Sequence, residues 1–260
     1  MSRRRIDALL AERGLYASRS AAAAAVRAGE VQVGPHGPFA LRPSQLVEAG
    51  EELVVAAGPR FVSRGGIKLE NALRSLAIDV SGRDCLDVGA STGGFTDCLL
   101  KRGAARVIAL DVGRGELDWG LRNDPRVAVV ERTNARSLDS SALPFIPSLA
   151  TIDVSFISLA KVLPAVAGAL SEDGELLALV KPQFELGPAR VGKGGVVRDP
   201  LARREALRAV AASAASIGLA VRGFASSRLP GPKGNRETFL WCARRGVPVD
   251  IERAVGEVDA

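Results

Sequence analysis

The stretch "DCLDVGASTGGFTD", residues 84–97, indicates how the larger part of the chain folds. It joins an apolar run, CLDV, to a glycine-rich turn and then to a helical pattern that begins near Gly94. Asp111 ends the next apolar run, 22 residues after Gly89. In open parallel sheets, ligands bind beyond the carboxyl ends of the strands, and glycines there let a ligand approach the backbone. The stretch therefore predicts a nucleoside-cofactor site at a sheet edge.

Apolar runs and helical patterns alternate beyond this point. The runs are CLDV, RVIALD, VAVVE, LATIDV and LLALVK, with helical patterns at 94–102, 115–122, 158–170 and 200–217. Such alternation is typical of a parallel sheet covered by helices, an α/β fold of Rossmann-like type. The last two runs, AVRGFASS and ETFLWCA, flank a Gly/Pro loop. They predict a hairpin whose final strand is antiparallel.

The first sixty residues have a different organisation. Residues 6–13 and 18–28 predict two short helices, the second with Ser18 or Ser20 as its N-cap. The runs EVQV and EELVV predict two strands, and the Gly- and Pro-containing stretch AAGPRFVSRGG that follows is typical of a linker. The beginning of the chain is therefore expected to form a small α+β module.

Positive charge is concentrated at the start of the chain. The 260 residues carry a formal net charge of +6, with an isoelectric point near 9.7. Six arginines face three acidic side chains within the first thirty residues. A basic patch favours a polyanionic partner such as RNA, although modest positive charge is also common in proteins that bind nothing acidic.

Composition restricts the compartment and the chemistry. The three cysteines have no metal-ligand spacing, so we expect buried thiols and no metal site. No apolar run reaches the ~18 residues of a membrane span, and the start MSRRRIDALL lacks the apolar stretch of a signal peptide. We therefore expect a cytoplasmic protein without membrane association. The single histidine, His36, lies in a predicted turn, so proton chemistry is expected to use other side chains.

The loop chemistry favours S-adenosylmethionine over a dinucleotide. The glycine spacing is not G-x-G-x-x-G, and Asp87 lies two residues before the first glycine, where a carboxylate suits a cationic cofactor. A glycine-rich turn without a ligand remains the alternative. Motifs for methylating a base are absent, because the fourth strand ends in IDVSF rather than Pro-Pro-aromatic and no cysteine follows a proline.

Charged residues at the predicted strand ends remain as candidates. Asp153, Lys181 and Glu237 would share one edge of the sheet if the last strand is antiparallel, and Lys68, ahead of the first strand, could join them. Each residue alone could equally be a solvated strand terminus. A lysine can release a proton when buried, whereas an arginine cannot, so the two lysines among six in the chain are notable.

These residues resemble the Lys-Asp-Lys-Glu tetrad of the FtsJ-type ribose 2′-O-methyltransferases, and DVGASTGGF resembles their cofactor loop. The stretch RIDALLAERGLYASRSAAAAAVRAGEVQVG, residues 5–34, is similar to the alpha-L RNA-binding domain. With VSRGGIKL, VKPQFE and LPGPKGNRETFLW, the chain resembles the TlyA-type rRNA (cytidine-2′-O)-methyltransferases. The resemblance implies an alpha-L domain at 1–58, a linker at 59–64, an FtsJ-like domain at 65–246 and a C-terminal tail at 247–260.

The resemblance also implies the site residues. The catalytic residues would be Lys68, Asp153, Lys181 and Glu237, with Lys181 as the base for the ribose hydroxyl. S-adenosylmethionine would contact Asp87, Gly89, Ala90, Ser91, Thr92, Gly93, Gly94, Phe95, Asp111, Asn134 and Asp153. Ribosomal RNA would contact Arg3, Arg4, Arg5, Arg19, Arg27, Arg64, Lys193 and Arg236.

Three alternatives remain open from sequence. The chain could be an RNA-binding protein whose methyltransferase domain is inactive, although the complete tetrad argues against this. It could be a small-molecule methyltransferase or an NAD oxidoreductase, which the arginine-rich start disfavours. It could also be membrane-active, as a hemolysin-like protein would be. The ribosomal subunit modified and the oligomeric state are not determined by sequence; a monomer is favoured.

Overall fold

The computed structural model describes residues 3–35, 37–55, 60–187, 190–192, 194–231 and 233–258. The chain divides into two compact units, residues 1–67 and 68–260. Each unit has its own core, so each is described by itself.

The first unit is a small α+β module. Its elements are β1 (Arg3–Arg5), α1 (Ile6–Glu12), α2 (Arg19–Ala28), β2 (Val31–Val33), β3 (Leu46–Glu48) and β4 (Leu53–Val55). The strands pair antiparallel as β1 with β3 and β2 with β4. Ser18 caps α2 by accepting from the Ala21 amide, and Gly29 ends it in a left-handed conformation that glycine adopts without a steric cost.

The core of this unit lies between the helices and the strands. Ile6 and Leu10 of α1 pack with Val26 of α2 and Val31 of β2, and all four are essentially inaccessible to solvent. Both predicted helices and both predicted strands are present. The sequence indicated neither β1 nor β3. The letters RRR of β1 show no alternation of apolar and polar residues. Pairing with β3 is what makes Arg3–Arg5 a strand.

From Arg64 onward the elements are α3 (Arg64–Ser75), β5 (Asp84–Val88), α4 (Gly94–Lys101), β6 (Arg106–Leu110), α5 (Trp119–Arg122), β7 (Val127–Val130), β8 (Leu149–Ile152), α6 (Leu163–Ala169), β9 (Glu175–Val180), α7 (Pro182–Glu185), α8 (Pro200–Ser216), β10 (Ala220–Ser226), β11 (Thr238–Ala243) and α9 (Ile251–Val258). Seven strands form one sheet in the order β10-β11-β9-β8-β5-β6-β7. The strands β5 to β9 run parallel, and β11 is antiparallel to both of its neighbours.

This sheet confirms the predicted α/β, Rossmann-like fold. Strand order reverses beside β5, because β6 lies on one side of it and β8 on the other. Loops that follow β5 and β8 therefore meet at the carboxyl edge of the sheet, where such folds bind ligands. The apolar strand residues Leu86, Ile108 and Ile152 are fully buried in the core. The three cysteines are buried free thiols, as predicted.

Some element boundaries differ from the prediction. The helix expected at 115–122 is only α5, because Asp118 caps it by accepting from the amides of Gly120 and Leu121. The helix expected at 158–170 is a 3₁₀ turn, Leu159–Lys161, followed by α6. The predicted tail contains α9, whose Val255 is fully buried in the core of the second unit.

Within the described ranges, no helix is long and apolar enough to cross a membrane. The same ranges contain no group of three or more His, Cys, Asp or Glu side chains arranged to hold a metal ion.

Candidate active site at the carboxyl edge of the sheet

The glycine-rich loop after β5 leaves no room for side chains at two positions. Gly89 has a φ of 82°, and a Cβ added there would lie 2.4 Å from the carbonyl oxygen of Asp153. Gly93 has a φ of 96°, and its Cβ would lie 2.3 Å from a methyl group of Leu121. Both positions require glycine for backbone conformation and for close approach. The loop thus lies directly against the segment that carries Asp153.

Asp87 lies beneath the loop rather than on its surface. The residue is fully buried in β5, and its carboxylate accepts hydrogen bonds from the Thr96 hydroxyl at 2.7 Å and the Thr151 hydroxyl at 3.2 Å. Burial raises the pKa of Asp87 to about 7; the bond from Thr96 opposes this shift, and the charge of Asp153 adds to it. Asp87 therefore joins β5 to α4 and β8, and its contact with a cofactor stays a prediction.

Asp111 ties the loop to the end of β6. One carboxylate oxygen accepts from the Ser91 amide at 2.8 Å and the other from the Gly113 amide at 2.7 Å. Ser91 has a left-handed backbone, φ 47°, which is uncommon outside glycine and needs support from its surroundings. The hydrogen bond from its amide to Asp111 provides that support. Asp111, Ser91 and Gly113 line a small cleft at this edge.

The other predicted cofactor residues fall into two groups. Ala90, Gly93, Gly94 and Phe95 are buried, whereas Ser91, Thr92 and Asn134 are exposed. Asn134 caps the 3₁₀ turn Ala135–Ser137 by accepting from the Arg136 amide at 3.0 Å. Its side-chain oxygen is therefore already engaged, although its amide nitrogen is not part of that bond.

The four predicted catalytic residues form two ion pairs. Lys68 Nζ lies 2.6 Å from Glu237 Oε2, and their side chains are only 10% and 1% exposed. Lys181 Nζ lies 2.5 Å from Asp153 Oδ1, with side chains 11% and 23% exposed. Buried charges are tolerated only when they are paired or hydrogen-bonded. Each of the four charges therefore has an oppositely charged partner within the protein.

The sheet topology brings these pairs to one cavity. Because β11 is antiparallel to β9, with Thr238 opposite Val180, Glu237 and Lys181 lie at the same edge. Asp153 follows β8, which is parallel to β9. All four residues line a cavity of about 600 Å³. The predicted convergence is therefore present in the structure, whereas the catalytic role of each residue stays a prediction.

A model of the FtsJ-like methyltransferase family matches residues 61–245. The chain belongs to this family. The match confirms the family resemblance read from the motifs, and it includes the glycine loop and all four residues of the two ion pairs.

Relatives extend the similarity to almost the whole chain. It is 48% identical to the 16S/23S rRNA (cytidine-2′-O)-methyltransferase TlyA of Mycobacterium tuberculosis, with 99% of each chain covered. It is 38% identical to Hemolysin A of Brachyspira hyodysenteriae, with 90% of this chain and 97% of the relative covered. A solved structure from Streptococcus thermophilus that carries a hemolysin name is 39% identical, with a TM-score of 0.73 and 99% and 96% of the two chains covered.

In this FtsJ-like methyltransferase domain, the cavity has further lining residues that the sequence reasoning missed. The Ser155 hydroxyl accepts from Lys181 Nζ at 2.9 Å. Phe156 is 91% exposed, has a left-handed φ of 64°, and its ring centroid lies 5.1 Å from that of Phe184. The motif DVSF contained the signal, because an aromatic residue four positions beyond the end of a strand lies outside the sheet core.

The arginines of the first unit are mostly paired within that unit. Arg3 lies 3.4 Å from Glu48, and Arg4 lies 2.6 Å from Glu12. The guanidinium of Arg5 donates two hydrogen bonds to Asp7, and Arg19 also lies 3.2 Å from the Asp7 carboxylate. Hydrogen bonding to Arg5, followed by the contribution of Arg19, lowers the pKa of Asp7 to about 2. The predicted basic patch is therefore a set of ion pairs with exposed arginine heads.

The remaining predicted RNA contacts differ in their surroundings. Arg27 and Arg236 are exposed and make no ion pair with any residue that the structure describes. Arg64 begins α3 and is partly buried. Lys193 lies outside the described residues.

Proposed function

We propose that this chain transfers the methyl group of S-adenosylmethionine to the ribose 2′-hydroxyl of a cytidine in ribosomal RNA. Large-subunit RNA is the expected target, and small-subunit RNA a further one. Both the M. tuberculosis relative and a Campylobacter jejuni relative carry an rRNA (cytidine-2′-O)-methyltransferase name. One observation carries the proposal: the two ion pairs Lys68–Glu237 and Lys181–Asp153 line one cavity beside the glycine loop.

The residues of the glycine loop fit a nucleoside cofactor. Gly89 packs so closely against the Asp153 carbonyl that a Cβ there would clash, so the bare loop backbone lies directly beside the segment that carries Asp153. The exposed Ser91 and Thr92 lie at the loop surface, and the half-buried Asp111 directly follows β6, at the edge where a ribose would be held. When bound, S-adenosylmethionine would supply a methyl group on a positively charged sulfur. Asp153 is the tetrad carboxylate whose backbone lies against the loop at Gly89, so it would be available to face that charge.

We assign Lys181 as the group that removes the proton from the ribose hydroxyl. Its Nζ lies between Asp153 Oδ1 and Ser155 Oγ, so the amine is fixed at a defined point on the cavity wall. Lys68 and Glu237 form the second ion pair on the wall of the same cavity and would orient the hydroxyl. Fixing the reacting groups in line provides much of the acceleration in such a transfer, and a positioned base adds roughly 10²–10⁴-fold.

RNA affinity is proposed to come from the first unit and from the loops around the cavity. We assign residues 1–58 as an alpha-L RNA-binding domain, 59–64 as a linker, 65–246 as the methyltransferase domain and 247–260 as a tail. Arg27 offers a charge that is not engaged by any described carboxylate, and Arg236 directly precedes Glu237. Exposed arginines bind phosphates without reading sequence, so they provide affinity and register.

Two other functions predict different results. A domain that binds RNA without catalysis would not need two paired lysines against one cavity. Two of the relatives carry hemolysin names, so membrane activity is a separate candidate. Release of dye from phospholipid vesicles by the purified protein would support it, and full retention of the dye would exclude it.

The proposed function is tested by methyl transfer to defined acceptors. Purified protein is incubated with S-adenosylmethionine labelled on its methyl group and with naked rRNA, each ribosomal subunit or the whole ribosome. We expect label in rRNA, at a cytidine that becomes resistant to alkaline cleavage on its 3′ side. The same reaction with Lys181→Arg protein is the control for methylation by a contaminant. Label on a base, or on no RNA at all, would contradict the proposal.

A further inference from the structure

The loop that carries Asp153 has a strained backbone. Phe156 adopts a φ of 64°, a region that bulky residues rarely occupy, and its side chain is 91% exposed. Such a conformation costs about 1–3 kcal/mol and persists only where neighbouring groups hold it. The exposed ring supplies little burial to offset that cost. Hydrogen bonds from elsewhere in the domain must therefore hold the loop on both sides of Phe156.

On the side before Phe156, the tetrad itself holds the loop. The Asp153 amide donates to the Val88 carbonyl at 2.9 Å, and Lys181 Nζ contacts both Asp153 Oδ1 and Ser155 Oγ. These contacts fix the loop to the ends of β5 and β9. They also mean that any shift of the loop would change the geometry of the Lys181–Asp153 pair.

On the side after Phe156, one carboxylate holds the loop. Glu185 Oε2 accepts from the Ser158 hydroxyl at 2.6 Å, and Glu185 Oε1 accepts from the Leu159 amide at 2.9 Å. Glu185 is the last residue of α7, and α7 begins directly after Lys181. Glu185 thus joins the segment that bears Asp153 to the segment that bears Lys181, in addition to the contacts of Lys181 and the Phe156–Phe184 ring contact.

Glu185 is unusual because it is a partly buried carboxylate that no described cation pairs with. Burial raises its pKa, and its hydrogen bonds to Ser158 and Leu159 oppose that shift. Keeping a carboxylate out of water carries a desolvation cost. The two hydrogen bonds to the loop are the contacts that offset it.

We propose that Glu185 is a positioning residue that clamps the Asp153 loop to α7 and so keeps Asp153 and Lys181 aligned for methyl transfer. This role rests on the proposed function of the cavity. Glu185 touches neither the cavity residues of the tetrad nor the cofactor loop in any hydrogen bond of the described chain, so it acts through Ser158 and Leu159.

The first test compares two Glu185 variants and one control variant with wild type in single-turnover methyl transfer at saturating S-adenosylmethionine and rRNA substrate. Glu185→Ala removes both acceptors, and we expect a rate loss of roughly 10- to 100-fold, the scale of a misplacement of about 1 Å. Glu185→Gln keeps an acceptor oxygen for the Leu159 amide, and its amide nitrogen can donate to the Ser158 hydroxyl, so its rate should stay within about threefold of wild type although neutral hydrogen bonds are roughly half as strong as charged ones. Affinities for S-adenosylmethionine and for RNA should not change.

Glu175→Ala is the matched control. Glu175 begins the strand that ends next to Lys181, and it pairs with Arg83 at 2.5 Å. This variant removes a partly buried glutamate contact at the far end of β9, so it should lower stability while leaving the single-turnover rate near wild type. If Glu185→Ala does not fold, Ser158→Ala replaces it, because that change removes one of the two clamp bonds; a several-fold slower rate is then expected.

The second test does not depend on activity. Hydrogen exchange at the Leu159 amide should be clearly faster in Glu185→Ala than in wild type, and unchanged in Glu175→Ala. A wild-type rate in folded Glu185→Ala, a Glu185→Gln rate as low as that of Glu185→Ala, or unchanged Leu159 protection would each overturn the clamp. If wild-type protein transfers no methyl group, the proposed function fails, and Leu159 exchange still tests the clamp.

Discussion

Two charged regions of this protein use ion pairs in different ways. The tetrad pairs lysines with carboxylates across long sequence separations, 169 residues for Lys68 and Glu237, and encloses them against a cavity. The arginines of the first unit pair with acidic side chains nearby in that module, and their heads stay exposed. Exposed pairs such as Arg3–Glu48 and Arg4–Glu12 contribute only about 0–1 kcal/mol, so these two arginines can exchange a carboxylate for an RNA phosphate at little cost. Arg5 and Arg19 pair instead with the buried carboxylate of Asp7. Buried pairs cannot be exchanged in this way, and they serve geometry.

The largest effect is expected at Lys181. Lys181→Arg keeps the positive charge and the pairing with Asp153, but guanidinium does not release its proton near neutral pH. We expect single-turnover methyl transfer to fall at least ~10²-fold, the lower end for loss of a positioned base. Folding, S-adenosylmethionine affinity and RNA affinity should stay near wild type.

If arginine at position 181 retained a rate within a few-fold of wild type, Lys181 would have only a positioning role. The buried pairs of the tetrad would then differ from the exposed arginine pairs in rigidity, and Lys181 would not take part in proton transfer.

A second test uses the buried Asp87. Since its pKa is raised from 3.8 to about 7, the carboxyl stabilises the fold while it is protonated, and this contribution is lost as the pH rises from about 4 through about 7. The free energy of unfolding of Asp87→Asn, relative to wild type, should therefore increase with pH by on the order of a few kcal/mol. Urea unfolding of both proteins at several pH values measures this difference. If the free energies of unfolding of the two proteins changed with pH in parallel, the raised pKa of Asp87 would be contradicted.

Asp111 provides the next smaller effect. Asp111→Ala removes the acceptor for the Ser91 and Gly113 amides and the proposed ribose contact. S-adenosylmethionine affinity should fall by roughly tenfold, equivalent to ~1.4 kcal/mol. Calorimetric titration of the folded variant measures it, with RNA affinity as the control that should not change. Wild-type cofactor affinity would exclude Asp111 from the site.

The smallest effects are expected in the first unit. Arg4→Gln and Arg27→Gln should each weaken rRNA binding a few-fold and reduce the salt slope of binding by about one, because each removes one phosphate contact. Arg19→Gln should in addition lower the stability of the module, since Arg19 pairs with the buried Asp7, whereas Arg4 pairs with an exposed Glu12. Binding isotherms at several salt concentrations, with thermal unfolding, separate the two effects. An unchanged salt slope in Arg27→Gln would remove that residue from the interface.

Sequence patterns predicted local features more accurately than boundaries. The strand after Arg83 and the helix after Gly93 were correct, because apolar period and glycine chemistry are local properties. The helix expected at 115–122 was too long. It begins only at Trp119, because Asp118 is its N-cap. Strand β1 was missed because only its partner β3 makes three arginines extended.

The sequence by itself determined the α/β alternation, the glycine loop and the residue types of the tetrad, since these depend on spacing along the chain. Only the tertiary structure decided that Lys68 pairs with Glu237 and Lys181 with Asp153, that Asp87 lies beneath the loop, and that Glu185 reaches Ser158. The physical reason is desolvation: which charges must find partners depends on which are buried, and burial is set by strand order and crossing loops that no local pattern encodes.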